Sequence, residues 1–324
     1  MPMSSFLVLV IADPAASYLK SLTHLPDGVR LVVSDNPEEL KAQAPGADAI
    51  LYAHGRNDLL SGILPFATRT RWIHSLWTGV EGILSPEMLE HPATLTNGRG
   101  VFRWPLADWV VGAMLFFAFD LRRVLRQQEE GVWKPFVGTT LEGRTLGIVG
   151  YGSIGSATAE RARPFGMKII ALRRRTELFQ GDPLVDRSYG PDQLKELMAA
   201  CDYILVTTPL TRETRGLIGP SEIGAMKPEA VILNVGRGPV IDEPALVRAL
   251  QSGAIRGAAL DVFDTEPLPA GHPFWGMRNV LLSPHTADRV EGFLVPACEC
   301  FLENLGRVRS GSPLLNVVDK RAGY

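Results

Sequence analysis

Residues Gly150-Tyr151-Gly152-Ser153-Ile154-Gly155 match the pattern G-x-G-x-x-G, directly after the apolar run Leu146-Gly147-Ile148-Val149 and ahead of a helical stretch. In a chain with 32 glycines the pattern alone could be an ordinary turn. The strand before it and the helix after it give it a mechanism. The first glycine permits a tight turn, the second lets the backbone approach a pyrophosphate, and the third lets helix and strand pack closely. The anion then meets the helix N-terminus, where unpaired N–H groups and the helix dipole favour negative charge. Gly150, Gly152, Ser153, Ile154 and Gly155 are therefore expected to hold a dinucleotide. The chain around them is expected to form a doubly wound parallel sheet.

The rest of the chain agrees with an α/β architecture. Before the motif, strands are expected at 6–12, 29–34, 49–52 and 72–76, with helices at 15–22 and 37–44. Alternating short apolar runs and helical stretches imply a parallel sheet. A single long helix is expected over 105–128, with Pro105 in its first turn, where proline is favoured. A loop at 131–143 follows. Strands are then expected at 145–149, 168–172, 203–207, 230–235, 258–262 and 280–283, separated by helices near 154–165, 192–200, 223–226 and 244–252. A last helix over 291–309 leads into an irregular tail.

With 324 residues, two domains of ordinary size are expected. The net charge of −2 offers no footprint for nucleic acid or an anionic membrane. The longest apolar stretch, 109–119, is about half of what a bilayer span needs, roughly 20 residues, and is read as a buried helix. The apolar run 6–12 lacks a basic region before it and is read as a first strand, not a signal peptide. Cys201, Cys298 and Cys300 are too few for a disulfide framework and fit a reducing, cytoplasmic setting. Cys298 and Cys300 have no histidine or second cysteine pair near them, so no metal site is expected.

A dinucleotide site of this kind commonly carries an acidic residue about 20 positions after the glycines, on the ribose 2′-hydroxyl. Here the second strand ends in Arg173-Arg174-Arg175, and Arg173 lies 173 − 155 = 18 residues after Gly155. Guanidinium groups attract a 2′-phosphate that a carboxylate would repel. Arg173 and Arg174 therefore point to NADP, with NAD as the alternative and a solvated charge cluster as the bland one.

Three ionisable residues follow three successive strands: Arg237 in Asn234-Val235-Gly236-Arg237-Gly238, Glu266 after Asp261-Val262-Phe263-Asp264-Thr265, and His285 in Ser283-Pro284-His285-Thr286. Ligands of open α/β sheets bind at the carboxyl ends of the strands. Reduction of a 2-oxo acid needs a carboxylate anchor, a proton donor and a hydride. Arg237 suits the first role and His285 the second, since its ordinary pKa is about 6.5. Glu266 can hold the second imidazole nitrogen and favour the charged ring.

At these residues the chain resembles the D-isomer-specific 2-hydroxyacid dehydrogenases. The resemblance is carried by residues 149–155, 234–238, 261–268, 279–287 and the closing Asn316-Val317-Val318. It implies Arg237, Glu266 and His285 as the catalytic set. It further implies Thr207 and Pro209 on the adenosine side, Val235 beside the cofactor, and Asp261 at the nicotinamide amide. Residues 75–81 resemble the family's substrate-carboxylate loop, which places Trp77, Thr78 and Gly79 at the substrate.

The resemblance also implies two Rossmann-like domains with an active-site cleft between them. The outer, substrate-binding domain is expected at 1–103 plus 291–324, and the dinucleotide-binding domain at 104–290. The 105–128 helix resembles the family's dimerisation arm, implying a homodimer. Trp133 resembles a tryptophan that some members contribute to a neighbouring subunit, plain loop packing being the other reading. The basic strand end resembles that of the glyoxylate and hydroxypyruvate reductases, many of which prefer NADPH. That makes reduction of a small 2-oxo acid to the D-2-hydroxy acid the leading expectation. The alternatives are another substrate (D-lactate, phosphoglycerate or phosphite), which His54, Arg56, Trp77 and Arg99 would decide, or a dinucleotide-sensing corepressor-like binding protein.

Overall fold

The computed structural model describes residues 6–23, 25–179 and 181–324. The chain divides into two compact units, Met1–Phe102 with Glu291–Tyr324, and Arg103–Val290. Each is built on a parallel sheet.

The first unit holds β1 (Phe6–Ile11), β2 (Val29–Ser34), β3 (Ala49–Tyr52), β4 (Trp72–Ser75) and β5 (Thr94–Asn97), in the order β2-β1-β3-β4-β5. From Leu7 onward β1 is buried at every position, as an apolar run must be when helices cover both faces of a parallel sheet. Asn36 caps the helix Pro37–Gln43, accepting the N–H groups of Glu38 and Glu39. The stretch expected as a helix over 15–22 is a 3₁₀ turn, Ser17–Thr23, with Leu22 out of helical geometry. The last helix is Val295–Ser310. It starts later than expected because Gly292 takes a left-handed conformation, φ +70°. The tail is irregular, as expected, and is tied to β5: Val317 forms an isolated antiparallel bridge with Thr96, and the Val318 N–H donates to the Leu95 carbonyl.

The second unit carries seven parallel strands: β6 (Thr145–Val149), β7 (Lys168–Leu172), β8 (Arg187–Tyr189), β9 (Tyr203–Val206), β10 (Val231–Asn234), β11 (Gly257–Leu260) and β12 (Val280–Leu282). Their order is β12-β11-β10-β9-β6-β7-β8. The chain runs outward from β6 in one direction, then restarts on the other side with β9. Such a reversal opens a crevice at the carboxyl ends of the two central strands. The seventh strand, β8, has no counterpart among the six expected. It is three residues long and exposed at two of them, an edge strand without an apolar signature.

The expected single helix over 105–128 is two helices, Arg103–Ala118 and Leu121–Glu129, bent by 65°. The break has a local cause. The Ala118 carbonyl, which would serve the Arg122 N–H in a continuous helix, accepts the N–H and hydroxyl of Thr139 at 2.8 and 3.3 Å. Asp120 takes a left-handed conformation, φ +47°. The first helix is buried at Val110, Met114 and Ala118 and packs on the helix Ser153–Ala162. Among the described residues no single helix is long and apolar enough to cross a membrane.

Candidate active site

The glycine loop joins β6 to the helix Ser153–Ala162, and each glycine has its own constraint. Gly150 has φ +98°, and a Cβ there would stand 2.8 Å from the Thr208 nitrogen. A Cβ on Gly155 would meet Ile148 Cγ2 at 2.9 Å, which enforces the close packing of helix on strand. Gly152 is exposed, and a Cβ would meet nothing within 4 Å. Gly152 is also the helix N-cap and offers no side-chain acceptor to the first N–H groups. The first turn thus presents unfilled donors beside an open backbone, and this fits a dinucleotide pyrophosphate.

Thr207 and Thr208, after β9, fasten this loop from the other side of the crevice. The Thr207 hydroxyl donates to the Gly150 carbonyl at 2.6 Å, and the Thr208 hydroxyl to the Val149 carbonyl at 3.2 Å. Pro209 is exposed, and its carbonyl accepts the Thr214 hydroxyl at 2.6 Å. Val235 is buried at the end of β10. Beyond β7, Arg173 is half-buried and Arg174 exposed. Arg174 reaches Glu213 at 3.3 Å. The basic cluster and the segment after β9 therefore meet through this pair.

Arg237, Glu266 and His285 follow β10, β11 and β12, three neighbours in the sheet. Parallel pairing puts them on one edge. Glu266 and His285, separated by 19 residues in sequence, meet there, with Glu266 Oε2 at 2.7 Å from His285 Nδ1. The other Glu266 oxygen accepts the Phe263 N–H at 2.9 Å. Hydrogen bonding to Glu266 raises the pKa of His285 above its ordinary value against the opposing effect of burial. Burial pushes the Glu266 carboxyl up, but the His285 and Phe263 hydrogen bonds and the nearby positive charges together hold it below the usual carboxylate range. The arrangement favours the charged form of the ring, paired on Nδ1, and leaves Nε2 as the nitrogen open to a reactant. The side chains remain 45% and 36% exposed, so the pair is open to one.

Arg237 is half-buried, and its Nη1 donates to the Gly236 carbonyl at 2.7 Å. Its loop is braced by Asn234, fully buried, which donates to the Arg237 carbonyl and accepts the Gly236 N–H, both at 3.0 Å. Gly238 lies flat on the Glu266 loop: a Cβ there would fall 2.0 Å from the Phe263 carbonyl carbon. The arginine loop and the glutamate loop are thus in backbone contact.

His285 has φ +52°, an uncommon conformation for a residue with a side chain. Asp261 holds it there. Its carbonyl accepts the His285 N–H at 2.9 Å, while its buried Oδ1 accepts the Ser283 hydroxyl and the N–H groups of Thr286 and Ala287. The supporting roles of Asn234, Gly238 and Asp261's Oδ1 were not read from the sequence. For Asn234 and Asp261 the one signal is a polar residue at or just after a strand end, which does not say what it bonds; for Gly238 it is a glycine in a loop.

In the first unit, the loop after β4 carries Trp77, Thr78 and Gly79. The Thr78 hydroxyl donates to the Gly98 carbonyl at 3.1 Å, and its carbonyl accepts Asn97 Nδ2 at 2.7 Å. Trp77 packs against Phe102 and Phe293, with ring centres 6.3 and 6.4 Å away.

Residues 111–287 match the family model described as D-isomer specific 2-hydroxyacid dehydrogenase, NAD binding domain. A glyoxylate reductase of Aeropyrum pernix is 35% identical over 300 residues, 87% of this chain and 86% of that protein. A D-isomer specific 2-hydroxyacid dehydrogenase family protein from Aeromonas salmonicida has a solved structure that superposes with a TM-score of 0.86. It shares 31% identity over 98% of this chain and 100% of its own. An NADPH-dependent glyoxylate/hydroxypyruvate reductase from Sinorhizobium meliloti, solved with NADP and malonate, superposes with a TM-score of 0.80. Its identity is 26%, over 99% of this chain and 98% of its own.

Proposed function

The chain belongs to the D-isomer-specific 2-hydroxyacid dehydrogenases, and from that premise we propose that it reduces a small 2-oxo acid, glyoxylate or hydroxypyruvate foremost, to the D-2-hydroxy acid with NADPH. The observation that carries the reading is the 2.7 Å contact between Glu266 and His285 Nδ1. It makes the imidazole a proton donor through Nε2 and keeps it charged to higher pH. NADPH, when bound, supplies the hydride. Arg237 binds the carboxylate or carbonyl oxygen of the oxo acid, His285 delivers a proton to the carbonyl oxygen, and Glu266 stabilises the imidazolium until it does. Trp77, Thr78 and Gly79 are assigned to the substrate carboxylate. Asp261 is assigned to the nicotinamide amide; with Oδ1 engaged in three internal bonds, that contact falls to Oδ2.

NADPH is favoured over NADH by the guanidinium groups of Arg173 and Arg174, and by the cofactor of the Sinorhizobium meliloti relative. A homodimer is supported by an apolar exposed strip: Leu125, Val132, Trp133 and Val137 are 55, 44, 96 and 97% exposed. The free cysteines Cys201, Cys298 and Cys300 suit a cytoplasmic setting. The test is a panel of 2-oxo acids assayed with NADPH and NADH, with chiral analysis of the product. Turnover of glyoxylate or hydroxypyruvate, the latter giving D-glycerate, supports the reading. No turnover of any member of the panel overturns it.

A further inference from the structure

Glu266 is anchored by more than its partner. The helix Glu243–Ser252 opens with a glutamate whose side chain is only 17% exposed. Glu243 Oε2 accepts the Asp264 N–H at 3.1 Å. Its Oε1 lies 3.1 Å from His272 Nε2, and the His272 side chain is likewise 17% exposed. His272 Nδ1 accepts the Phe274 N–H at 3.3 Å, so the ring proton sits on Nε2 and is donated to Glu243. The His272 ring packs on the buried Phe274 with centres 4.6 Å apart, and Phe274 packs on Phe263.

Glu243 therefore clasps both ends of the loop that carries Glu266. The successive N–H groups of Phe263 and Asp264 are each taken by a carboxylate, the first by Glu266 and the second by Glu243. A hydrogen bond from a neutral ring to a partly buried carboxylate is weak evidence for stability, because it replaces bonds to water. Its effect here is geometric: it leaves the Glu266 turn one position to occupy.

We propose that Glu243 and His272 are a positioning pair, which sets where the Glu266 carboxylate stands beside His285 and thereby how firmly the imidazolium is held. Neither residue touches the reacting atoms. The proposal rests on the reading of Glu266 and His285 as the acid–base pair. The charged or titratable groups around His285 are Glu266, Arg237, Asp261 and Asp288, and the clasp acts directly on the loop of the first.

The experiment uses the full chain and three variants. His272→Asn keeps an acceptor for the Phe274 N–H but cannot reach Glu243. His272→Gln places an amide nitrogen about where Nε2 stood. Glu243→Gln sets an N–H donor against the ring's own. His285 is titrated by NMR without substrate, its signal assigned through His285→Asn, and the pH profile of reduction is recorded beside it. In His272→Asn and Glu243→Gln the pKa of His285 should fall by about half a pH unit or more. Their kcat should drop about threefold to tenfold, with the Kd for NADP+ unchanged. His272→Gln should restore both quantities most of the way. A His285 titration that stays at the parental value in folded Glu243→Gln and His272→Asn overturns the proposal. The NMR titration needs no turnover, so a parent inactive on every oxo acid would fail the functional reading and not this one.

Discussion

The backbone and side chain of His285 are held by different carboxylates, Asp261 for the turn and Glu266 for the ring. The first prediction separates them. A raised folded-state pKa keeps His285 protonated further into the alkaline range, so the rate of reduction should fall only as pH rises through that raised value. Glu266→Gln removes the charge that raises it, and the fall should come at lower pH, with NADPH binding intact. The reverse oxidation needs neutral imidazole, and its rise should move to lower pH in the same variant. Superimposable kcat/KM profiles of variant and parent would remove Glu266 from the mechanism. His74 does not confuse the measurement, because burial pushes its pKa down to about 3. At the other end of the site, Arg173 decides a second prediction. A well-formed charge-assisted hydrogen bond is worth about 1.5–3 kcal/mol. Two partly exposed ones should favour NADPH by about 10²-fold at low salt, less as salt rises. Arg173→Asp should reverse the preference, as read from kcat/KM for the two cofactors. Equal use of both by the parent at low salt would reduce the cluster to a solvated loop.

Between elements, the telling contact is Gly238 against Phe263, where the loop after β10 lies on the loop after β11. No side chain fits between two backbones that close. Gly238→Ala must push the Arg237 loop away from the Glu266 loop. The expected cost is about 1–3 kcal/mol of stability, seen as a lower Tm. A drop of at least tenfold in kcat/KM for the oxo acid should accompany it, with the Kd for NADPH within about twofold of the parent, since misplacement of this size is costly to catalysis. A variant with parental Tm and parental kcat/KM would show that the two loops are not mechanically joined. The helix break at Asp120 has the same kind of origin. Nothing in the run from Arg103 to Glu129 forbids a continuous helix. Thr139, nineteen residues after Asp120, takes the carbonyl that would continue it.

For the whole molecule, the bend leaves the amphipathic helix Leu121–Glu129 without a buried residue. With the loop behind it, this helix presents Leu125, Val132 and Val137 to solvent. Exposed apolar side chains in such a run mark a surface that another protein can cover, which the proposed homodimer would do with a second copy. Sedimentation velocity at micromolar concentration should find a dimer, and Leu125→Glu with Val132→Glu should shift it to monomer. A parent that sediments as a monomer would overturn this assignment.

The sequence by itself determined what depends on neighbours in the chain. The glycine loop is legible because a strand, a tight turn and a helix start lie within a dozen residues. Most strands are legible because parallel strands, buried on both faces, are continuous apolar runs. The short edge strand β8 was not, since half its surface is solvated. Tertiary structure alone decided what depends on residues far apart. Glu266 and His285 are 19 residues apart, and only the pairing of β11 with β12 closes that distance to 2.7 Å. The bond partners of Asp261, the brace of Asn234 and the clasp of Glu243 on His272 are likewise set by strand order and loop packing. A carboxylate in a sequence shows its charge; which N–H or ring it meets is settled only when the sheet brings the loops together.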